Sequence, residues 1–571
     1  MKFRTLAAGL GISATALFAI PGSGATASLQ TSTATVQSGP NQVANRYLKQ
    51  KPVWKQCGDP EFRTFCAKIT APRDWSNQYS GHDIELAVSK VTPVGNTKPT
   101  RVVFGNPGGP GGPGLGMAPY LASQPGIGKN HLFVGFDPRG TGDSSNVSCD
   151  GAPGFTMDAR DRDSANLDLI AEAADMAKPY CERQSRGLLP YVNTVQTVQD
   201  IDLIRHLLGY DKIDWVGYSG GTWLGAYYQT YFPNHVGRFV LDSNTDFTRP
   251  WSDTFLAQPQ AFERRFREDF APWAAKYDDQ LHLGWSPRLV IRTYERLRRE
   301  LKRKPAVEEF LDGSVRISYD QNALDNLVSS DMYTKADFQS LALDLAFLRE
   351  LSAAQAAGGP KAAQRKVDAL PLARQHQLVQ RATRSTVGLP PIARAFADDA
   401  DDATFTAVTC NDTPWPQGRD YGDQLAARFG PKYPLLGWGM NENPCLYWDR
   451  PALDLRTPTG KGLPTTLMVQ SQHDPATSIS LATSAHQRYA GSRLLTITGE
   501  GDHGIYGGVN KCADKIINTF LTTGVAPAED LSCKGEGIPA PAMGESESEP
   551  LDDAPLRRIT GFTKAVSGYL H

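Results

Sequence analysis

The sequence predicts an α/β fold: a mostly parallel sheet flanked by helices, with a helical cap inserted into it. Three observations lead there. The run Ile213-Asp214-Trp215-Val216-Gly217-Tyr218-Ser219-Gly220-Gly221 carries an apolar strand into a Gly-x-Ser-x-Gly turn, and a small-residue helix pattern follows at once. Strand-like runs alternate with helical periodicity on either side of it. Between about residues 244 and 400 that alternation stops and charged amphipathic stretches take over.

The chain opens on an export signal. Lys2 and Arg4 precede an apolar run over 6–20, and Ala25-Thr26-Ala27 is an A-x-A cleavage site, which makes 1–27 a signal peptide. The run is too short and too broken by glycine to span a bilayer. No later stretch is long enough either, so no membrane anchor is expected. Residues 28–45, rich in Ser, Thr, Gln and Asn, read as a disordered leader or pro-segment.

The first part of the core runs over 46–243. Residues 62–65 and 84–88 read as an antiparallel hairpin, and 101–104 as a buried strand. That strand enters Gly105-Asn106-Pro107-Gly108-Gly109-Pro110-Gly111-Gly112-Pro113-Gly114. The loop contains G-x-G-x-x-G, but Pro110 and Pro113 lack the N–H groups a pyrophosphate would need, so no dinucleotide is expected. A strand at 131–136 ends in Asp137-Pro138-Arg139-Gly140-Thr141-Gly142, where Asp137 and Arg139 are expected to pair and brace the loops. Residues 193–208 have helical spacing, and 236–242 read as a further strand.

The cap, 244–400, has helical patterns at 260–276, 288–303 and 335–351, with no strand run longer than 315–319. The second part of the core, 401–540, restores the alternation. A strand at 466–471 leads to Gln472-His473-Asp474-Pro475-Ala476-Thr477, then a helix at 481–489. A strand at 493–497 leads to Gly499-Glu500-Gly501-Asp502-His503-Gly504, then a helix at 510–522. Residues 541–571 read as a loosely packed tail.

Composition narrows the function. The 571 residues carry 59 Lys+Arg against 61 Asp+Glu, a net charge of −2, and nothing in that balance suggests nucleic acid as a partner. Eight cysteines, at 57, 66, 149, 181, 410, 445, 512 and 533, fit an oxidising compartment. They allow about 105 connectivities. The simplest pairs neighbours: Cys57–Cys66, Cys149–Cys181, Cys410–Cys445 and Cys512–Cys533. No C-x-x-C spacing occurs, and neither a metal nor a cofactor is expected.

The chemistry follows from the turn. A serine hydroxyl is a weak nucleophile until a histidine takes its proton, and that imidazole needs a carboxylate to fix its tautomer. Ser219, Asp474 and His503 stand in the order Ser, acid, His, each in a loop after a strand. His473 precedes the strand that separates acid from base, and Asp502 adjoins the histidine itself, so both are weaker choices.

Taken together, Gly-Gly-Pro-Gly after a strand, Asp-Pro-Arg-Gly-Thr-Gly, Gly-Tyr-Ser-Gly-Gly-Thr-Trp-Leu-Gly, His-Asp-Pro-Ala-Thr and Gly-Asp-His-Gly resemble the secreted tripeptidyl aminopeptidases of the proline iminopeptidase group of α/β-hydrolases. The resemblance spans about 50–533, with Cys512 and Cys533 flanking the C-terminal segment as in that family. It implies an α/β-hydrolase fold with a helical lid, Ser219 as nucleophile, Asp474 as acid and His503 as base. The oxyanion donors would be the N–H of Gly220 and one from Gly108 or Gly109. Where proline iminopeptidases carry His before Gly-Gly-Pro-Gly, this chain has Pro107, as in the tripeptidyl branch.

The implied activity is a secreted serine exopeptidase acting on free peptide and protein N-termini. Its substrate ammonium would be held by Glu442, Asp412 or the run Asp398-Asp399-Asp401-Asp402. The same triad serves esterases and lipases, and release of single residues, as by proline iminopeptidases, stays open too. A non-catalytic relative would be expected to lack a triad member.

Overall fold

A computed structural model describes residues 43–542 except 59–62, 93–98, 128–129, 155, 312, 385–398, 449–452 and 454, together with 555, 558 and 559. The export signal, the leader up to 42, Asp398 and most of the tail lie outside the described residues.

Among the described residues one sheet has the strand order β1 (Lys55–Gln56), β2 (Thr64–Pro72), β3 (Asp83–Val91), β5 (His131–Phe136), β4 (Arg101–Asn106), β6 (Ile213–Tyr218), β7 (Val236–Asp242), β10 (Thr466–Ser471), β11 (Arg493–Thr498) and β12 (Leu531–Lys534). The pairs from β1 through β3 to β5 are antiparallel, and those from β5 to β12 are parallel.

β5, β6 and β10 are buried at every position, as strands covered on both faces must be. Successive side chains go to opposite faces. Phe104, Trp215, Leu241 and Met468 pack beneath the helices Thr194–Leu208 and Gly220–Tyr231. Val103, Val216, Val240 and Val469 pack beneath Met117–Ala122 and Lys511–Thr523. This alternation lets the strands from β5 to β11 feed both layers. β1 and β12 escape the sequence reading because they are short edge strands with little apolar patterning.

The inserted segment builds its own core from Phe266, Phe270, Trp273, Tyr294, Leu297, Phe338 and Leu341. Its helix Pro287–Arg303 buries Val290, Tyr294, Leu297 and Leu301 at helical spacing and exposes Arg288, Arg292, Arg296, Arg299 and Arg303 on the other side. A hairpin of β8 (Ala306–Phe310) and β9 (Val315–Tyr319) interrupts the helices. The helix Ala400–Asp412 then returns to the main core through Ala403, Ala407 and Val408.

Four disulfides join Cys57 to Cys66, Cys149 to Cys181, Cys410 to Cys445 and Cys512 to Cys533. The last ties the helix Lys511–Thr523 to the edge strand β12. The tail departs from a loose segment at the residues described. Arg558 donates to Gly507 O at 3.2 Å, and Ile559 is buried in the core. Among the described residues no helix is long and apolar enough to cross a membrane.

Candidate active site

β6 gives way to the helix Gly220–Tyr231 at Ser219, whose φ of 54° and ψ of −123° are rare for a residue with a side chain. Local packing holds it there. A Cβ on Gly217 would strike Gly221 O, and one on Gly221 would lie 2.8 Å from Asn106 O. Ser219 N donates to Asp242 O at 2.9 Å, which pins the turn to the end of β7. The serine is half-buried, and its hydroxyl caps no N–H of the helix it precedes.

The glycine-rich loop after β4 lies directly on this turn. A Cβ on Gly108 would strike Tyr218 O and lie 2.9 Å from Ser219 Cβ. Gly108 N donates to Asn106 Oδ1 at 3.0 Å, so its N–H is already used within the loop. Gly220 N begins a helix and has no intrahelical acceptor. Replacing Gly220 by alanine would put a Cβ 2.8 Å from Pro110 N and 2.9 Å from Gly109 C, displacing the loop. The expected result is a fall in kcat of about 10²-fold or more at little change in KM, read by steady-state kinetics.

Asp474 and His503 come from the loops after β10 and β11. His503 Nδ1 is 2.9 Å from both carboxylate oxygens of Asp474, and both side chains are buried. The carboxylate is fixed by other donors: Ala476 N (3.0 Å) and Thr477 N (2.9 Å) to Oδ1, and Thr477 Oγ1 (3.2 Å) to Oδ2. An aspartate so surrounded holds one ring nitrogen and leaves Nε2 for proton transfer.

The histidine loop is anchored beside the serine by Asp242, a residue the sequence reading passed over. Its carboxylate accepts from Ile505 N (3.0 Å) and Tyr506 N (2.7 Å), while Gly504 N donates to Ser243 Oγ at 2.8 Å. Burial pushes Asp242 up to about 7, against the pull of these donors. The signal was an acid at the very end of a buried strand, the position Asp137 also occupies.

Asp137 does brace the glycine loop, accepting from Gly114 N (2.7 Å), Leu115 N (3.0 Å) and Asp143 N (2.8 Å). Its expected pairing with Arg139 does not form. Arg139 instead makes a buried two-pronged pair with Asp200 of the helix Thr194–Leu208, at 2.7 Å on each oxygen. The reason is geometric: Asp137 turns inward to three backbone N–H groups, while the guanidinium reaches the one buried carboxylate facing it.

The acids considered for the substrate ammonium separate. Asp412 is fully buried and already engaged by Thr194 N (2.8 Å), Thr194 Oγ1 (2.6 Å) and Trp251 Nε1 (3.2 Å), so it ties two helices together and offers no open carboxylate. Asp399 accepts from Cys149 N at 2.7 Å, and Asp401 and Asp402 are exposed on the first turn of their helix. Glu442 is different. Among the described residues no hydrogen-bond donor reaches its half-buried carboxylate, and burial, reinforced by Asp158 and Asp325, pushes it up to about 8. No contact links it directly to the Ser219 turn among the described residues.

Two family models match the chain: one described as alpha/beta hydrolase fold over residues 102–323, and one as TAP-like protein over 433–533. Among curated relatives, a tripeptidyl aminopeptidase of Streptomyces coelicolor is 33% identical over 499 residues, covering 83% of this chain and 84% of that one. A serine protease of Mycobacterium tuberculosis is 24% identical over 523 residues, covering 87% and 94%. A protein named Carboxylesterase B from the same organism is 27% identical over 502 residues, covering 84% and 89%. On this similarity, along nearly the whole described fold, the chain belongs to the tripeptidyl aminopeptidase family of α/β-hydrolase serine peptidases.

Proposed function

We propose that this protein is an exported serine exopeptidase that releases short peptides, by family tripeptides, from the free N-termini of peptides and proteins. One observation carries the reading: Ser219 stands at a strained turn against Gly108, with the Asp474–His503 pair in adjoining loops. Export is supported by the signal-like first 27 residues and by four disulfides, which persist in oxidising compartments.

In the proposed mechanism Ser219 Oγ attacks the carbonyl carbon of the third residue as its proton passes to His503 Nε2. The oxyanion accepts hydrogen bonds from the N–H groups of Gly220 and Gly109. The C–N bond breaks, and His503 returns the proton to the departing amine. Water, deprotonated by the same imidazole, then releases the peptide from the acyl-enzyme. Asp474 holds the imidazole tautomer and balances its charge.

The test compares tripeptide arylamides with free and with acetylated N-termini. Cleavage of the free-amine substrates alone supports an exopeptidase. Equal cleavage of both removes the amine requirement and with it this reading. Hydrolysis of short-chain esters with neither arylamide turned over would favour the second reading, an esterase, which the similarity to Carboxylesterase B motivates.

Glu442 is the acid proposed to hold the ammonium, because among the described residues no other donor reaches its half-buried carboxylate. Glu442→Gln is expected to raise KM for free-amine substrates about tenfold with kcat nearly unchanged. The variant also carries a stability signature. The folded state holds the Glu442 proton up to about pH 8, whereas an unfolded glutamate loses it near 4.3. Its contribution is therefore fully present below about pH 4.3 and is lost as pH rises through 8. Thermal melts should show the variant gaining stability over wild type at pH 9 relative to pH 5.

A further inference from the structure

The loop that carries His503 is held from outside by the cap, and through one guanidinium in particular. We infer that Arg265 is a positioning residue for the general base: by clamping Asp502 it fixes the histidine loop, so that the triad is fully assembled only while the cap is docked. This deepens the proposed function and rests on His503 being the base.

The contacts converge from two cap segments. Arg265 opens a π-helical turn, Arg265–Phe270, and is buried, with Phe338 beneath its guanidinium at 4.9 Å. Its Nη2 donates to Asp502 Oδ1 at 2.7 Å. The same carboxylate accepts from Lys335 N at 2.7 Å and Thr334 Oγ1 at 3.2 Å. The backbone N–H of His503 itself donates to Tyr333 O at 2.8 Å, and the Tyr333 ring stands edge-on to the imidazole at 5.4 Å. Lys335 Nζ completes the seam by pairing with Glu500. Gly501 lets the guanidinium lie close against the loop, since a Cβ there would run into it as placed.

A clamp of this kind has an electrostatic signature that mere packing lacks. The charged or titratable groups around the imidazole are Asp474 from the acid loop, Asp242 from the end of β7 and Tyr333 from the cap. Around Asp502 stand Arg265, Lys335 and Glu500. Beyond them Asp269 pairs with Arg265 at 2.9 Å and faces His473 at 3.6 Å, while the Arg264 guanidinium lies near Asp269 and Asp474. Removing Arg265 takes away the guanidinium paired with Asp502 beside the base and favours imidazolium. Removing the Asp502 charge leaves the guanidinium and disfavours it.

The experiment measures kcat/KM against pH on a free-amine tripeptide arylamide for wild type, R265Q, D502N and R265Q/D502N. Rates are normalised to active sites titrated with a fluorophosphonate. In R265Q the acid limb should rise by about one pH unit and kcat per site should fall about tenfold, with KM little changed. In D502N the limb should move to lower pH, and in the double variant it should return toward wild type. Limbs that stay at the wild-type pH in the folded variants, with only the titratable fraction reduced, overturn the proposal. If R265Q yields no folded protein, D502N decides alone by the direction of its limb. Absence of phosphonate labelling at Ser219 in wild type would instead reject the underlying serine-hydrolase reading.

Discussion

Replacing Ser219 by alanine is expected to lower kcat on a free-amine tripeptide arylamide by about 10⁵-fold or more, with KM and thermal stability close to wild type. The turn explains why the effect is confined to chemistry. Ser219 is held in its strained conformation by its backbone, through the bond to Asp242 O and by the glycines at 217 and 221, and its hydroxyl caps no helix N–H. An alanine can occupy the same φ and ψ at the same cost, so the fold loses little. What disappears is the atom proposed to form the acyl bond. A residue of about 10³- to 10⁴-fold over water should survive, from the oxyanion donors and binding alone. Residual activity within about tenfold of wild type, confirmed by mass spectrometry of the variant, would end the covalent mechanism.

The second large effect is expected from Asp474→Asn, about 10⁴-fold in kcat. Here the hydrogen bonds decide the outcome. Oδ1 accepts from Ala476 N and Thr477 N, so an asparagine must keep its carbonyl oxygen at that position. Its NH₂ then faces His503 Nδ1 from the place of Oδ2. Nδ1 lies 2.9 Å from both positions, and the tautomer in which it accepts from the NH₂ and carries its proton on Nε2 cannot take the proton of Ser219. The variant should fold with the same far-UV circular dichroism and still bind substrate, since size and backbone bonds are kept. Activity that returns steeply as pH is raised would fit this tautomer block, whereas wild-type activity at neutral pH would remove Asp474 from the mechanism.

Much of this site can be read along the chain, because its parts are local. A strand running into Gly-x-Ser-x-Gly at 213–221 states its own turn: only glycine allows backbone to pass so close at 217 and 221. Asp474 and His503 are legible for a similar reason, each standing in a loop just past a buried strand. Asp242 closes a buried strand itself and is not legible, since its role lies in accepting N–H groups from 505 and 506, more than 250 residues away in sequence. The edge strands β1 and β12 were missed because two and four residues are too few to show a period.

The sequence by itself determined the layered α/β architecture, the interruption near 244 and the order of serine, acid and histidine. These depend on periodicity and on turns, which a few neighbouring residues settle. Only the tertiary structure decided the partners of the charges. Arg139 takes Asp200 in place of Asp137, and Asp412 is consumed by Thr194 and Trp251. Glu442 is left half-buried with no donor among the described residues, and Arg265 reaches Asp502 across 237 residues. The physical reason is that a buried charge must find its counter-group among whatever surfaces packing brings together. That choice is made by the core, and no local pattern records it.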